Sequence, residues 1–147
     1  MGTAQTTSFV DLLTERGVLL ADGATGTNYQ SMGIEPGVAP EEWLFEEPDK
    51  VVELHRAFVE AGSDIVLTCT FGATPLRLTD GPLIGRAREV NVRAAELARR
   101  AGSLLVAGSL GPTGQLTEPY GPLSHDACVE SFAEQALALA DGGADLL

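Results

Sequence analysis

Cysteine is scarce in this 147-residue sequence, which contains only Cys69 and Cys128. Two cysteines cannot build the disulfide framework of a small secreted domain, and their spacing matches no local zinc motif. Basic residues are also few, since nine Lys and Arg stand against 21 Asp and Glu, for a net charge of −12. Nucleic acids and anionic membranes are bound through clustered positive charge, so the composition predicts neither as a partner.

Long apolar runs are absent as well. No stretch approaches the roughly 18 consecutive apolar residues of a membrane span. Residues 1–7 are polar, and the apolar segment of a signal peptide does not follow them. We therefore expect a cytoplasmic protein, whose 44% of hydrophobic residues suffices for a sizeable core.

One sequence motif recurs along the chain at an interval of about forty residues. It consists of a glycine, a short polar step and an apolar run, and it occurs at residues 60–67, 100–107 and 141–147, with an earlier version at 16–21. A repeat of this size is typical of a stacked or closed array of one supersecondary unit.

The repeated unit is predicted to be a helix, a glycine stop, a strand and a loop. The strands are predicted at Val18–Ala21, Ile65–Leu67, Leu104–Ala107 and from Ala144, the first of them buried on both faces. Helices are predicted from the cap residue Ser8 through Leu13, from near Pro48, from about Leu83 to Arg100, and from the cap residue Ser124.

Three of these helices carry a stripe that is expected to face the core. The stripes are Val51, Val52, His55, Phe58 and Val59; then Ile84, Ala87, Asn91, Ala94 and Ala98; then Cys128, Phe132, Ala136, Leu139 and Ala140. We expect His55 to be a hydrogen-bonded interface histidine, and Asn91 to tie its helix to a neighbouring loop, because a buried amide must be paired. His125 follows a cap residue and is expected to be solvated.

Apolar strands that alternate with helices indicate an α/β fold with a parallel sheet covered by helices. An open doubly wound sheet and a closed barrel both fit, and the evenness of the units favours the (β/α)8 barrel. Eight such units would need roughly 320 residues. We therefore expect residues 1–147 to form an incomplete barrel domain, the N-terminal half, which stops in strand four.

Small, polar, glycine-rich segments follow the first three strands, at residues 22–28, 68–74 and 108–114. Ligands of parallel α/β proteins bind at the carboxyl ends of the strands. The Asp22 carboxylate could accept a hydrogen bond from a substrate ammonium there, or could bond its own loop as a turn aspartate. Such loops could also hold phosphate, although none matches a Walker loop or a GxGxxG motif.

Two further features leave alternatives open. Cys69 is either a small core residue or a residue of the pocket mouth, whereas Cys128 is expected in the core. The connection from residue 27 to residue 47 is long, and it is either an ordered lid over the mouth or a packed Ω-loop.

Four stretches taken together resemble the homocysteine S-methyltransferase family. They are residues 20–27, 67–73, 89–91 and 108–114, in order and at matching strand ends. The resemblance implies a (β/α)8 barrel that transfers a methyl group to the zinc-bound thiolate of homocysteine to give methionine. It also implies that cysteines in later strands hold the zinc, so we expect neither a metal site nor a catalytic residue within this chain.

The resemblance further implies a substrate site. Asp22 matches the family aspartate that meets the amino-acid end of homocysteine, with the backbone of Gly23 and Ala24 beside it. The remaining substrate-binding residues are expected to be Thr68, Cys69, Thr70, Phe71, Ser109 and Gly111. The family usually has asparagine where this chain has Cys69.

The expected partners are homocysteine, a methyl donor, and either the missing half-barrel or further copies of the same chain. Two alternatives remain for the function. One is a catalytically inactive half-barrel that serves binding or assembly, and the other is a barrel enzyme acting on a small phosphorylated substrate.

Overall fold

Four short segments lie side by side as a parallel sheet in the computed structural model, which describes residues 8–147. The two regular strands are β1 (Ile65–Leu67) and β2 (Leu105–Ala107), which pair in parallel. Ala21 forms a parallel bridge to β1 on its far side, and Leu146 forms one to β2. The order in the sheet is thus the order along the chain, as the barrel prediction requires.

Six helices accompany these strands within residues 8–147. They are α1 (Phe9–Arg16), α2 (Thr25–Ser31), α3 (Trp43–Glu46), α4 (Pro48–Glu60), α5 (Ala87–Arg100) and α6 (His125–Asp141), with 3-10 turns at Pro40–Glu42 and Gly81–Leu83. The predicted caps Ser8 and Ser124 are confirmed, since each side chain accepts a hydrogen bond from the N–H three residues on. The first helix runs three residues beyond the predicted Leu13.

The helices of the described region are all too short or too polar to cross a bilayer. The polar stretch at residues 1–7, on which the prediction of no signal peptide rests, lies outside the described residues.

Two copies of the repeated motif contain an aspartate with the same structural role. Asp64 accepts a hydrogen bond from the backbone N–H of Leu20 at 2.9 Å, and Asp145 accepts one from that of Val106 at 2.7 Å. Each aspartate is also paired with the arginine that ends or nearly ends the helix before the partner strand. The copies at residues 60–67 and 141–147 therefore each fasten a strand to the unit before it, whereas the copy at 100–107 has Leu104 in place of the aspartate.

Alternate side chains of the strands project to opposite faces of the sheet. One face packs against α1, in a cluster that contains Leu12, Ile65, Leu105, Phe9, Leu19, Ala107 and Leu146. The other face packs against α4 and α5, in a cluster that contains Val66, Val106, Ala98, Val59 and Ala144. The sheet is therefore covered on both sides, as predicted for a parallel α/β fold.

The prediction that residues 18–21 are a strand buried on both faces is wrong. Leu19 packs into the α1 cluster, but Val18 and Leu20 are 69% and 57% exposed. These two side chains project to the face that α4 and α5 cover on the neighbouring strands. Because both side chains are exposed, the apolar run is only half buried.

The third predicted helix begins later than the sequence suggested. A 3-10 turn ends at Leu83, and α5 starts only at Ala87. Ile84 has an extended backbone and is 58% exposed, so its place on the core stripe is wrong. Gly85, with φ of 69°, turns the chain between the two elements and prevents one continuous helix.

The stripe predicted for α6 is out of phase with the core. The buried residues are Ser131, Gln135, Ala138 and Leu139, of which only Leu139 was expected. Cys128 is half-buried rather than in the core, and with Phe132 and Ala136 it lines a surface groove. Ser131 and Gln135 lie on the face of α6 that packs against α5. Because both residues are polar, a search for apolar residues at helical spacing does not identify this face as buried.

The connection between residues 27 and 47 is packed. Tyr29, Ile34, Trp43 and Leu44 are buried in the largest core cluster, together with residues of α4 and α5. The rings of Tyr29 and Trp43 meet edge to face, with centroids 5.4 Å apart. The segment therefore resembles the packed Ω-loop alternative, although Pro40 and Glu41 also border the pocket described next.

Candidate functional site

A pocket of about 420 Å³ lies at the carboxyl ends of the parallel segments. All but one of the predicted site residues line it, namely Asp22, Gly23, Ala24, Thr68, Cys69, Thr70, Phe71 and Ser109. The exception is Gly111, which packs against the backbone of Phe71 instead. Three loops that are far apart in sequence thus meet where parallel sheets bind ligands.

Asp22 lies at the base of this pocket, directly after the first segment of the sheet. Its side chain is only 1% exposed, and its Oδ1 accepts a hydrogen bond from the Leu67 N–H at 3.0 Å. Its Oδ2 is buried and has no hydrogen-bond partner among the described residues. Burial raises the pKa of Asp22 to about 6. The carboxylate thus bonds the neighbouring strand rather than its own loop, and keeps one oxygen free.

His55 in α4 lies behind Asp22, and the expectation that it is hydrogen-bonded is wrong. The ring is fully buried, and both Nδ1 and Nε2 lack partners in the described chain. Nδ1 lies 3.9 Å from Oδ2 of Asp22, beyond hydrogen-bond length. Burial lowers the pKa of His55 to about 4, so the ring is neutral at pH 7.

The hydroxyl groups of Thr68 and Thr70 hold two loops of the pocket together. Their Oγ1 atoms are 2.6 Å apart. Thr70 donates to the carbonyl of Ser109 at 2.7 Å, and the N–H of Ser109 donates to Thr68 Oγ1 at 3.0 Å. Both threonines are buried, so these side chains position the loops after β1 and β2 at the edge of the pocket.

Two buried amides support the same loop from outside. Asn91 Nδ2 donates to the carbonyl of Ala73 at 2.8 Å, which confirms the predicted tie between α5 and a neighbouring loop. Gln135 Nε2 in α6 donates to the carbonyl of Thr70 at 2.9 Å and to Asn91 Oδ1 at 3.1 Å. Sequence reasoning missed Gln135, although a glutamine one turn from Ser131 and Leu139 is a signal of a polar buried face.

Glu41 was expected only as part of the connection from residue 27 to residue 47, with its lid and Ω-loop alternatives, and not as a pocket residue in its own right. It is 6% exposed, borders the pocket, and accepts a hydrogen bond from the Gly72 N–H at 2.6 Å. Its hydrogen-bond partner Gly72 is 31 residues away in the sequence, and no local sequence pattern indicates that Glu41 is buried. Glu41 therefore anchors the loop after β1 to the 3-10 turn before α3.

Cys69 is both a core residue and a residue of the pocket, the two alternatives that the sequence left open. It belongs to the largest core cluster and also lines the pocket. Burial raises the pKa of its thiol well above the ordinary value, so the group is protonated at pH 7. Phe71 stands at the rim and is 63% exposed.

The zinc implied by the family resemblance has no place among these residues. Within residues 8–147, no three His, Cys, Asp or Glu side chains come close enough together to hold a metal ion. Cys69 and Cys128 lie on separate elements, which does not fit a site built from several thiolates.

Known proteins share this sequence and fold. The homocysteine S-methyltransferase family model matches residues 19–147. Methionine synthase of Mycobacterium tuberculosis (strain ATCC 25618 / H37Rv) is 32% identical over 96% of this chain, and that of Mycobacterium leprae (strain TN) is 31% identical over 95%. The chain spans 13% and 12% of these two proteins.

Solved structures agree with the sequence matches. The homocysteine methyltransferase MmuM from Escherichia coli matches in its oxidized form with a TM-score of 0.80 and 29% identity. This match covers 92% of our chain and 53% of MmuM, and the metallated form gives a TM-score of 0.79. The predicted fold class is confirmed, since the chain corresponds to about half of this TIM-barrel structure. This chain therefore belongs to the homocysteine S-methyltransferase family.

Proposed function

We propose that this chain provides the homocysteine-binding face of an S-methyltransferase that methylates homocysteine to methionine. The chain spans about half of MmuM, so the activity is proposed for a whole protein of which residues 1–147 form an incomplete barrel domain. The observation that carries the proposal is Asp22, a carboxylate with one free oxygen at the base of a pocket at the strand ends.

The charges of the pocket support an amino-acid ligand. Among residues 8–147, its lining contains the carboxylates of Asp22 and Glu41 and neither lysine nor arginine. A phosphorylated substrate would need positive charge there, whereas an ammonium group favours a carboxylate. The Asp22 carboxylate would accept from the ammonium of homocysteine, and the exposed backbone at Gly23 and Ala24 would border the amino-acid end.

The remaining lining would hold the body of the ligand. Phe71 offers an exposed aromatic face at the rim, while Thr68, Thr70 and Ser109 fix the two loops through their shared hydrogen bonds. Because the described residues do not fit a zinc site, we assign no step of metal chemistry to them.

Calorimetric titration of the chain with L-homocysteine and with 4-mercaptobutyrate tests this proposal. The second compound keeps the thiol and the carboxylate but lacks the ammonium. We expect homocysteine to bind at least about tenfold more tightly, because an ammonium–carboxylate hydrogen bond is lost with the analogue. Equal affinity for the two compounds, or tighter binding of inorganic phosphate than of either, would contradict the proposal.

Turnover and metal binding are separate expectations. We expect the 147-residue chain alone to form no methionine from homocysteine with a panel of methyl donors, and to retain no stoichiometric zinc after a chelator wash. Zinc that survives the wash and is lost in Cys69→Ser would contradict the second expectation. Methionine formed above background would contradict the first.

A further inference from the structure

Asp22 and His55 are neighbouring buried side chains that both have polar atoms without hydrogen bonds among the described residues. One oxygen of the carboxylate and both nitrogens of the ring lack partners in the described chain. Their side chains are 1% and 0% exposed, so solvent does not supply the missing bonds. Buried polar groups are nearly always paired, and two unpaired groups that face each other call for a joint explanation.

The distance between them is 3.9 Å from Nδ1 to Oδ2, about 1 Å longer than an ordinary hydrogen bond. A neutral imidazole carries one N–H donor, and the carboxylate has an open acceptor site. A small rotation of either side chain would join them. The other Asp22 oxygen is already fixed by Leu67, so such a bond would determine the orientation of the whole carboxylate.

We propose that His55 is a positioning residue that orients the Asp22 carboxylate toward the ammonium of an amino-acid ligand. The inference rests on the proposed function for the identity of the ligand. His55 lies on the buried side of α4, beside Val51, Val52 and Leu54, and so acts from behind the pocket without touching the ligand. A donor at this place also favours the ionised form of Asp22, which is the form that pairs with an ammonium.

Other ionisable side chains share the surroundings of Asp22. They are Tyr29 in α2, Glu41 in the 3-10 turn and Cys69 after β1. These three side chains are the same in every His55 variant. A difference between the variants therefore reflects the substitution at residue 55.

Two substitutions separate positioning from packing. His55→Phe keeps an aromatic ring of similar size and removes the donor. His55→Asn places an amide nitrogen close to the position of Nδ1. The matched control is His125→Phe, because the side chain of His125 is 89% exposed on α6.

The first measurement is the ratio of the dissociation constants for 4-mercaptobutyrate and L-homocysteine. We expect the ratio to fall about tenfold in His55→Phe and to stay within about threefold of wild type in His55→Asn and His125→Phe. If His55 only packs, both ligands weaken equally and the ratio is unchanged, which would overturn the inference. Should His55→Phe not fold, His55→Gln, with its amide nearer the place of Nε2, replaces it.

The second measurement needs no ligand, so it separates failure of this inference from failure of the proposed function. NMR titration of 13C-labelled aspartate carboxyl groups follows Asp22 directly. Loss of the donor should raise the pKa of Asp22 in His55→Phe and leave it near the wild-type value in His55→Asn. Identical titration curves in all variants would overturn the inference, whether or not homocysteine binds.

Discussion

Gln135 in α6 donates a hydrogen bond to the backbone carbonyl of Thr70, a residue 65 positions earlier that lines the pocket. The same amide group donates to Asn91 in α5. Two helices outside the sheet therefore hold the loop after β1 in place.

Replacing Gln135 with leucine should destabilise the chain. The change leaves the carbonyl of Thr70 and the amide oxygen of Asn91 buried without this donor, and each unpaired buried group costs about 1–3 kcal/mol. Urea denaturation measures the loss. The control is Gln30→Leu, an exposed glutamine in α2. Equal stability of the two variants would show that the network contributes nothing.

Gly111 is predicted to tolerate no side chain. A Cβ atom there would lie 2.1 Å from the carbonyl oxygen of Phe71, so Gly111→Ala must push apart the loops after β1 and β2. We expect a loss of about 1–3 kcal/mol in the free energy of unfolding.

The control for this change is Gly26→Ala in α2, where a Cβ atom would meet nothing within 4 Å. Alanine is the better helix former, so this variant should match wild type or exceed its stability by up to about 1 kcal/mol. If the two alanine variants unfold alike, the loops are not in close contact at Gly111.

The sequence was most informative about the repeated unit. Glycine stops and serine caps placed the helices, and the apolar runs placed β1 and β2, because these signals depend on neighbours within a few residues. The errors have equally local causes. Gly85 broke the third helix, and a polar buried face on α6 shifted the expected stripe.

The candidate site was predictable in part. The strand-end loops and the family resemblance identified eight of the pocket-lining residues, since sheet topology determines where such loops meet. Glu41 and Gln135 could not be found in this way, because their partners are 31 and 65 residues distant. The position of His55 beside Asp22 could not be predicted either, because the two residues lie in different units of the fold.

Asp22 and His55 should make opposite contributions to the pH dependence of stability. The pKa of Asp22 is raised from 3.8 to about 6, so its contribution is lost as pH rises through that window. The pKa of His55 is lowered from 6.5 to about 4, so stability rises as pH increases from about 4 to 6.5. Between about pH 4 and pH 6 the two effects offset each other in the wild type.

Single substitutions should therefore reveal slopes of opposite sign. Relative to wild type, the free energy of unfolding should rise with pH in Asp22→Asn and fall in His55→Phe, by up to about 1.4 kcal/mol per pH unit. Urea denaturation across this window provides the measurement. Parallel curves for the three proteins would show that neither group titrates differently in the folded state.

The exposed edge of the sheet should cause self-association. Val18 and Leu20 project from residues 18–21, and a strand edge with apolar side chains is a template for pairing with another chain. Sedimentation velocity should show concentration-dependent association of the chain, and Leu20→Lys should reduce it. Leu116→Lys, at a residue 67% exposed in a loop, is the control. A sharp monomer peak at all concentrations would contradict this expectation.

The most direct test of the account is the affinity of Asp22→Asn for L-homocysteine, measured by calorimetry at neutral pH. We predict at least about tenfold weaker binding, because the ammonium loses its charged partner while the asparagine oxygen can still accept from Leu67. Asp126→Asn, at a side chain 97% exposed, should bind as wild type does. At neutral pH the free energy of unfolding of Asp22→Asn should not fall below that of wild type, because the buried charge is removed. Unchanged affinity together with a collapse of stability would contradict the account and make Asp22 a residue that only stabilises the fold.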